Sequence, residues 1–344
     1  MRRVSSVFVV AALIAAAAPS ARAQGYGQSN IVSDIPGLAA HTDPNLINAW
    51  GIYVKRNGSV VVNAADAGVS TAYQPNGTPL PLVVSVPGPG GAAGAPTGIA
   101  FNPTGEFKIT AHGRTAPSRF IYVTEDGTIA GWNPAVDVTH AILALDNSGL
   151  EASYKGVAIA VAGGHAYLYV ADFHNSQVSI YDGNFHFVRS FTDQTLADNS
   201  FGPFNVANIG GRIYVAFAMQ DAEKDEEVAG AGFGYVDVFN AQGHFIRRFA
   251  SEGALNAPWA IVRAPGNFGE FSGALLVGNF GDGWVNAFNP NTGAPLGHLS
   301  TPGGQPIAID GLWGLAFHGS TLWFAAGPNL EEDGLVGTLT PAAP

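Results

Sequence analysis

The sequence predicts an all-β six-bladed β-propeller with four-stranded antiparallel blades. A strand from the N-terminal part of the chain is expected to complete the last blade and close the ring. Three observations predict this. A short phrase recurs at intervals of roughly fifty residues, which is the period of a propeller blade. Each copy opens a unit of short apolar runs separated by turn residues. The last unit is one strand short, while a strand-like segment near the N-terminal end has no unit of its own.

The phrase is a bulky or long residue, then usually a small one, then a branched apolar one. It reads Trp50-Gly51-Ile52, Thr97-Gly98-Ile99, Lys155-Gly156-Val157, Phe204-Asn205-Val206, Trp259-Ala260-Ile261 and Trp313-Gly314-Leu315. Inner strands converge on the propeller axis, and a glycine there permits close backbone approach. Asn205 and Ala260 depart from glycine but stay small.

Blade one runs from Trp50 through residues 59–63 and 70–73 to 82–86. Blade two carries an insertion, residues 104–117, between its first strand and residues 119–124. Blade three is the clearest copy. Residues 156–161 form an apolar run, Gly163-Gly164-His165 turns the chain and residues 166–171 return it. Residues 172–176 turn again before residues 177–181, where polar and apolar side chains alternate as in a half-buried strand. Asp182-Gly183-Asn184 then signals a hairpin into residues 185–191. Blade four has a longer insertion, residues 220–232, between its middle strands, and blade five contains residues 275–279 and 284–288. Blade six has only residues 313–317, 321–325 and 335–340, so residues 29–34 are expected to supply its outer strand; an open ring would leave two bare sheet edges. The glycine-rich stretch 88–94 reads as a flexible connector.

Residues 1–23 read as a secretory signal peptide. Arg2 and Arg3 precede an apolar run from Val7 to Ala18, and Ala21-Arg22-Ala23 offers small residues for cleavage. The mature propeller would then occupy residues 24–344, in the periplasm or outside the cell. That run is short for a bilayer span, and no second apolar segment of that length follows, so no membrane span is expected in the mature chain. The chain has no cysteine, so ring closure cannot be a disulfide, and thiolate chemistry is excluded. The formal net charge is −11, and losing Arg2, Arg3 and Arg22 makes it more negative. Such a surface repels phosphate backbones, which argues against nucleic acid as a partner.

A local run, Val170-Ala171-Asp172-Phe173-His174-Asn175-Ser176-Gln177-Val178-Ser179-Ile180-Tyr181, resembles the core of an NHL-type propeller repeat. Longer phrases extend the likeness along the chain. They include Asn48-Ala49-Trp50-Gly51-Ile52, the segment from Thr124 to Pro134, Gly202-Pro203-Phe204-Asn205-Val206, the segment from Val277 to Gly283, and the segment from Ile309 to Phe317. Together they resemble a family of secreted bacterial β-propeller proteins, some of which end in a PEP-CTERM sorting tail. This sequence shows no such tail. The resemblance implies a fold and an address, and no activity or catalytic residue.

In a four-stranded blade, the loop entering the inner strand and the loop joining the middle strands lie on one face. Two sets of residues gather there. The first is a ring of acids: Asp66, Glu125 with Asp126, Asp172, the group from Asp221 to Glu227, Asp282, and Glu331 with Glu332 and Asp333. Carboxylates suit Ca²⁺ or another divalent cation, and Asp221, Asp225, Glu331 and Asp333 are the metal candidates. The competing reading is that aspartate favours turns and exposed acids keep a protein soluble.

The second set surrounds the axial mouth: Asn48, Trp50, Tyr154, Lys155, Phe204, Asn205, Trp259, Asp310 and Trp313. Aromatic walls with a few polar groups are where small ligands bind. Lys155 beside Asp310 or an amide would be a buried, perturbed pair. Alternatively, the tryptophans wedge between blades and Lys155 offsets the acidic rim. Two functional readings follow. One is a secreted monomer that binds a small molecule or a secreted or envelope protein through its acidic, aromatic-walled face. The other is a divalent-metal-dependent hydrolase, lactonase or lyase using Asn48, Asn205 and Asp310, weakened by the absence of a glutamate at an equivalent inner position. A purely structural role in the envelope or extracellular matrix is a third.

Overall fold

Each recurrence of the phrase lies on an inner strand. The structure, a computed structural model, describes residues 25–342; residues 1–23, expected from the sequence to be a signal peptide, lie outside the described residues. Blade one comprises Ala49–Val54, Val60–Ala64, Val69–Tyr73 and Pro79–Ser85, in that spatial order. Blade two comprises Pro96–Phe101, Phe120–Thr124, Thr128–Trp132 and Ile142–Asp146, and its insertion folds as a separate hairpin, Lys108–Ala111 with Arg114–Pro117. Blade three is Tyr154–Ala162, His165–Asp172, Gln177–Asp182 and Phe187–Phe191. Blade four is Phe201–Ile209, Arg212–Met219, Gly234–Phe239 and Phe245–Ser251. Blade five is Pro258–Arg263, Leu275–Asn279, Val285–Phe288 and Pro295–His298.

Blade six joins the two ends of the chain. Leu312–His318, Thr321–Ala326 and Leu335–Pro341 provide three strands, and Tyr26–Ser33 adds the fourth, antiparallel to Leu335–Pro341. The short strand His41–Thr42 then covers the outer edge in parallel. The latch is anchored by Tyr26, 1% exposed, whose hydroxyl donates to the Phe268 carbonyl at 3.0 Å and accepts from the Phe271 amide at 3.2 Å. These bonds tie the latch to blade five as well as blade six.

Packing follows the gaps between blades. Apolar side chains from facing sheets of blades two and three form one layer around Phe107, Ile121, Leu168 and Val170. Equivalent layers lie between blades three and four, four and five, and one and two. Each blade therefore needs both neighbours to bury its faces.

The inner strands share one irregularity. In all six, the ladder to the second strand slips at the repeated phrase, so that the inner strand carries one extra residue. A bulge of this kind re-aims the local side chains. The small residue after it has a steric role. A Cβ on Gly51 would strike the Thr97 carbonyl, one on Gly156 the Asn205 side chain, and one on Gly314 the Trp50 carbonyl. Asn205 takes the small residue's place in blade four, and its amide donates to the Trp259 carbonyl at 2.9 Å.

One local expectation is corrected, and one short helix joins the strands. The stretch 88–94 is ordered by its own hydrogen bonds: Gly88 donates to Ala92 and Gly94 to Val86, around a 3-10 turn at Pro89–Gly91. A single-turn helix, Gln194–Ala197, connects blades three and four and is capped by the Asp193 side chain.

Candidate functional site

The bulges place Trp50, Thr97, Lys155, Phe204, Trp259 and Trp313 around the axis, one from each blade. Trp50 stacks on Trp313 with ring centroids 3.5 Å apart, and Trp259 meets both edge-on. Phe280 stacks on Trp313 at 4.2 Å, and Phe204 bridges Trp313 to Phe173. All these rings but Phe280 are buried. The expected aromatic wall is therefore a plug: Trp50, Phe204, Trp259 and Trp313 turn their faces to one another and form the floor of the mouth. Beneath it lies a small axial void of about 100 Å³ bordered by Gly51, Gly98, Val157, Asn205 and Gly314. Asn205 thus belongs to the channel below the plug, not to the mouth.

Hydrogen bonds tie the plug to the rim. The Trp50 indole donates to Asn48 Oδ1 at 2.7 Å, and Asn48 Nδ2 donates to Glu331 Oε2 at 2.8 Å and to Asp66 Oδ1 at 3.2 Å. The Trp259 indole donates to the Lys155 carbonyl at 3.1 Å. Trp313 Nε1 is buried and lacks a hydrogen-bond partner.

Lys155 is the centre of the mouth. Its side chain is 1% exposed and its ammonium is ion-paired with Glu125 and lies 3.6 Å from Glu226. It also sits 5.5 Å from the Trp50 ring centroid and 5.9 Å from that of Phe173, close enough for cation–π attraction. Burial pulls its pKa down, but Glu125, Glu226 and Glu227 outweigh that and push it up, so it is a permanent cation. The expected partner, Asp310, is displaced from this role. It is exposed at the rim, where it accepts the Asn329 backbone N–H at 2.9 Å.

The carboxylates around Lys155 arrive from hairpins between middle strands. Glu125 lies in the tight turn of blade two. Glu226 and Glu227 come from the blade-four insertion, which is folded back by a bridge between Gln220 and Glu227. Glu331 comes from the blade-six loop, where Asn329, Leu330 and Glu331 all have positive φ, a conformation that L-residues seldom adopt in succession. Burial raises the Glu227 carboxyl to about 8, partly offset by Lys155. Burial likewise raises Glu331 to about 7, against the hydrogen bond from Asn48. Glu226 is raised too, by burial first. An open cavity of about 350 Å³ adjoins this cluster, bordered by Glu125, Ser148, Lys155, His174, Asp225 and Glu226.

The metal candidates do not converge. Asp221 accepts backbone N–H groups of Asp225 and Glu226 and so shapes its own loop. Asp225 pairs with His174 at 2.9 Å, Glu331 faces Asn48, and Asp333 accepts from Asn329. Among the described residues, no group of three or more His, Asp or Glu side chains is arranged to hold a metal ion. Asn48, Asn205 and Asp310, the set expected of a metal-dependent enzyme, lie in three different settings. Within the mouth itself, the Lys155 ammonium already occupies the place of a cation.

Reading the inner strands for acids missed the glutamates that matter, because they reach the axis from neighbouring hairpins. The ring of acids in those hairpins was the signal that contained them.

No family model matches the chain. Two uncharacterized proteins of Acanthamoeba polyphaga mimivirus are similar to it. One is 39% identical over 318 residues, covering 90% of this chain and 78% of that protein. The other is 37% identical over 321 residues, covering 90% and 84%. Among solved structures, virginiamycin B lyase from Staphylococcus aureus aligns with a TM-score of 0.53 at 17% identity, covering 89% of this chain and 82% of that one. This last likeness concerns the fold alone.

Proposed function

The chain belongs to the same family as those uncharacterized mimivirus proteins, and on that premise we propose that it is a propeller that binds a small cationic ligand at its acidic mouth. One observation carries this reading: four glutamates, Glu125, Glu226, Glu227 and Glu331, surround a single buried ammonium. Of these, Glu125 and Glu226 border the open cavity together with Asp126, Glu151 and Asp225, more carboxylates than the one ammonium can neutralise. An amine entering it would meet Glu226 and Asp225 while Lys155 holds Glu125 in place. Charge complementarity of this kind favours a cationic partner and rejects anions.

The test is a thermal-shift and calorimetric titration with putrescine as the probe. Wild-type protein is expected to bind it, and the Glu226→Gln variant to bind it several-fold more weakly. No binding by the wild type, or equal binding by the variant, removes the reading.

A second reading is favoured by Glu227 and Glu331, whose raised pKa values lie where a general acid or base works best. On that reading the mouth catalyses a proton-transfer step of a lyase or hydrolase, with Lys155 stabilising developing negative charge. Turnover of a candidate substrate that survives Glu227→Gln and Glu331→Gln unchanged would count against it. In the metal-dependent version, Ca²⁺ or another divalent ion would have to displace Lys155 from its carboxylates, so metal analysis of the purified protein tests it directly.

We also carry forward an exported monomer, released by cleavage before Gln24, in line with the likeness to secreted bacterial propellers. The mass of the mature protein recovered outside the cytoplasm tests this.

A further inference from the structure

A second cavity lies between blades two and three, about 420 Å³ in volume, beside the mouth but separate from its carboxylates. Its walls are mostly apolar: Leu145, Leu150, Ala152, Phe185 and Phe187. Leu150 is 69% exposed and Phe187 60%, so two large apolar side chains stand at its entrance in water. At its buried end Tyr154 and Tyr181 meet hydroxyl to hydroxyl at 3.0 Å. Asn147 Nδ2 donates to both hydroxyls, at 2.7 and 3.0 Å.

That geometry leaves one hydroxyl hydrogen over. Both hydroxyl oxygens accept from Asn147, so neither hydroxyl hydrogen can point at that nitrogen. One hydrogen completes the tyrosine–tyrosine bond. The other is left to the Ser179 hydroxyl on the same wall, or to an acceptor brought in from outside. The remaining charged wall residue, Asp172, accepts from the Asn175 and Gln177 side chains and gives the cavity negative character. Apolar walls with a small convergent polar end are the pattern of a small-molecule site.

We propose that this interblade cavity binds an uncharged aromatic or alicyclic molecule carrying one oxygen acceptor, its ring between Leu150 and Phe187 and its oxygen at the Tyr154–Tyr181 pair. The volume suits two fused rings with a short substituent. Asp172 disfavours anions. The loop bearing Leu150 is held in place by the Asn175 side chain, which donates to the Leu150 carbonyl at 3.2 Å, so the site is formed before the ligand arrives. The inference does not depend on what the mouth binds. The two cavities touch only through Ala152, which borders both.

The probe is the uncharged fluorescent naphthyl ketone Prodan, titrated into the full chain. Saturable binding with blue-shifted emission is expected, weakened about tenfold or more in a Leu150→Asp/Phe187→Ser double variant. Both positions are exposed, so the variant keeps the fold, as circular dichroism would verify. Dimethylaminonaphthalene, which lacks the ketone, is expected to bind several-fold more weakly, and saturating putrescine to leave Prodan bound. Absence of saturable binding, unchanged affinity in the double variant, equal affinity for the ketone-free probe, or displacement by putrescine would each overturn the proposal.

Discussion

At Lys155 a buried cation pairs with Glu125 and offsets part of the burial cost that raises Glu227 and Glu331. Glu227 binds its proton up to about 8 in the folded chain, whereas the ordinary value is 4.5. Between those limits the folded state carries a proton that the unfolded state has released. Stability therefore falls as pH rises through this window. Glu331, raised to about 7, acts in the same direction, as does Asp237, which burial beside Arg248 raises to about 7. Denaturant midpoints should drop between about pH 5.5 and pH 8.5, and Glu227→Gln should flatten that slope. Lys155→Met should steepen it, because the remaining carboxylates lose the charge that tolerates their ionisation. A slope unchanged by either substitution would separate these groups from the pH response. Gly51 offers a simpler case. Gly51→Ala drives a methyl into the Thr97 carbonyl of the next inner strand, and should cost about 1–3 kcal/mol in a urea titration.

The latch strand Tyr26–Ser33 is the element on which closure depends. It pairs with Leu335–Pro341 from Tyr26↔Pro341 to Ser33↔Leu335, with one irregularity near Ile31. Removing residues 25–33 would leave Leu335–Pro341 with unpaired backbone groups along one side. The truncated chain should melt well below the full chain and self-associate in size-exclusion chromatography. A monomer of unchanged melting temperature would contradict this. Tyr26→Phe is the milder test: it leaves the Phe268 carbonyl and Phe271 amide without their buried partner and should cost about 1–3 kcal/mol. The latch was legible in the sequence because strand counting exposed a deficit in blade six and a surplus before blade one. The six inner strands were legible for a similar reason, since their phrase repeats. What could not be read was the direction of side chains at a bulge. Regular alternation gives no warning that Trp50 and Trp313 will stack face to face, or that Lys155 will turn toward Glu125. The blade-four insertion was visible as a length anomaly, but its fold onto the axis depends on Gln220 and Asp221, whose side chains bond to distant or local backbone. Such contacts leave no periodic trace.

On the scale of the whole molecule, the described ends of the chain meet. The Ala342 amide donates to the Gly25 carbonyl at 2.8 Å. A permuted chain that joins these ends by a short linker, and opens instead in the exposed turn at Gly163-Gly164, should fold to the same sheet content by circular dichroism. Failure to fold would mean that the order of blade synthesis matters as much as their contacts. Apolar layers fill the gaps around the whole ring, the largest of them continuous with the axial plug, so a weakened gap can be held shut by its neighbours.

The inner-strand bulges separate two kinds of inheritance in this architecture. The strands around them build the sheets, while the axis reads like a six-letter word: Trp, Thr, Lys, Phe, Trp, Trp. A relative that keeps the blades and respells only those positions, with a repacked plug, would have a different floor, a different central charge and a different chemistry on the same strand pairing.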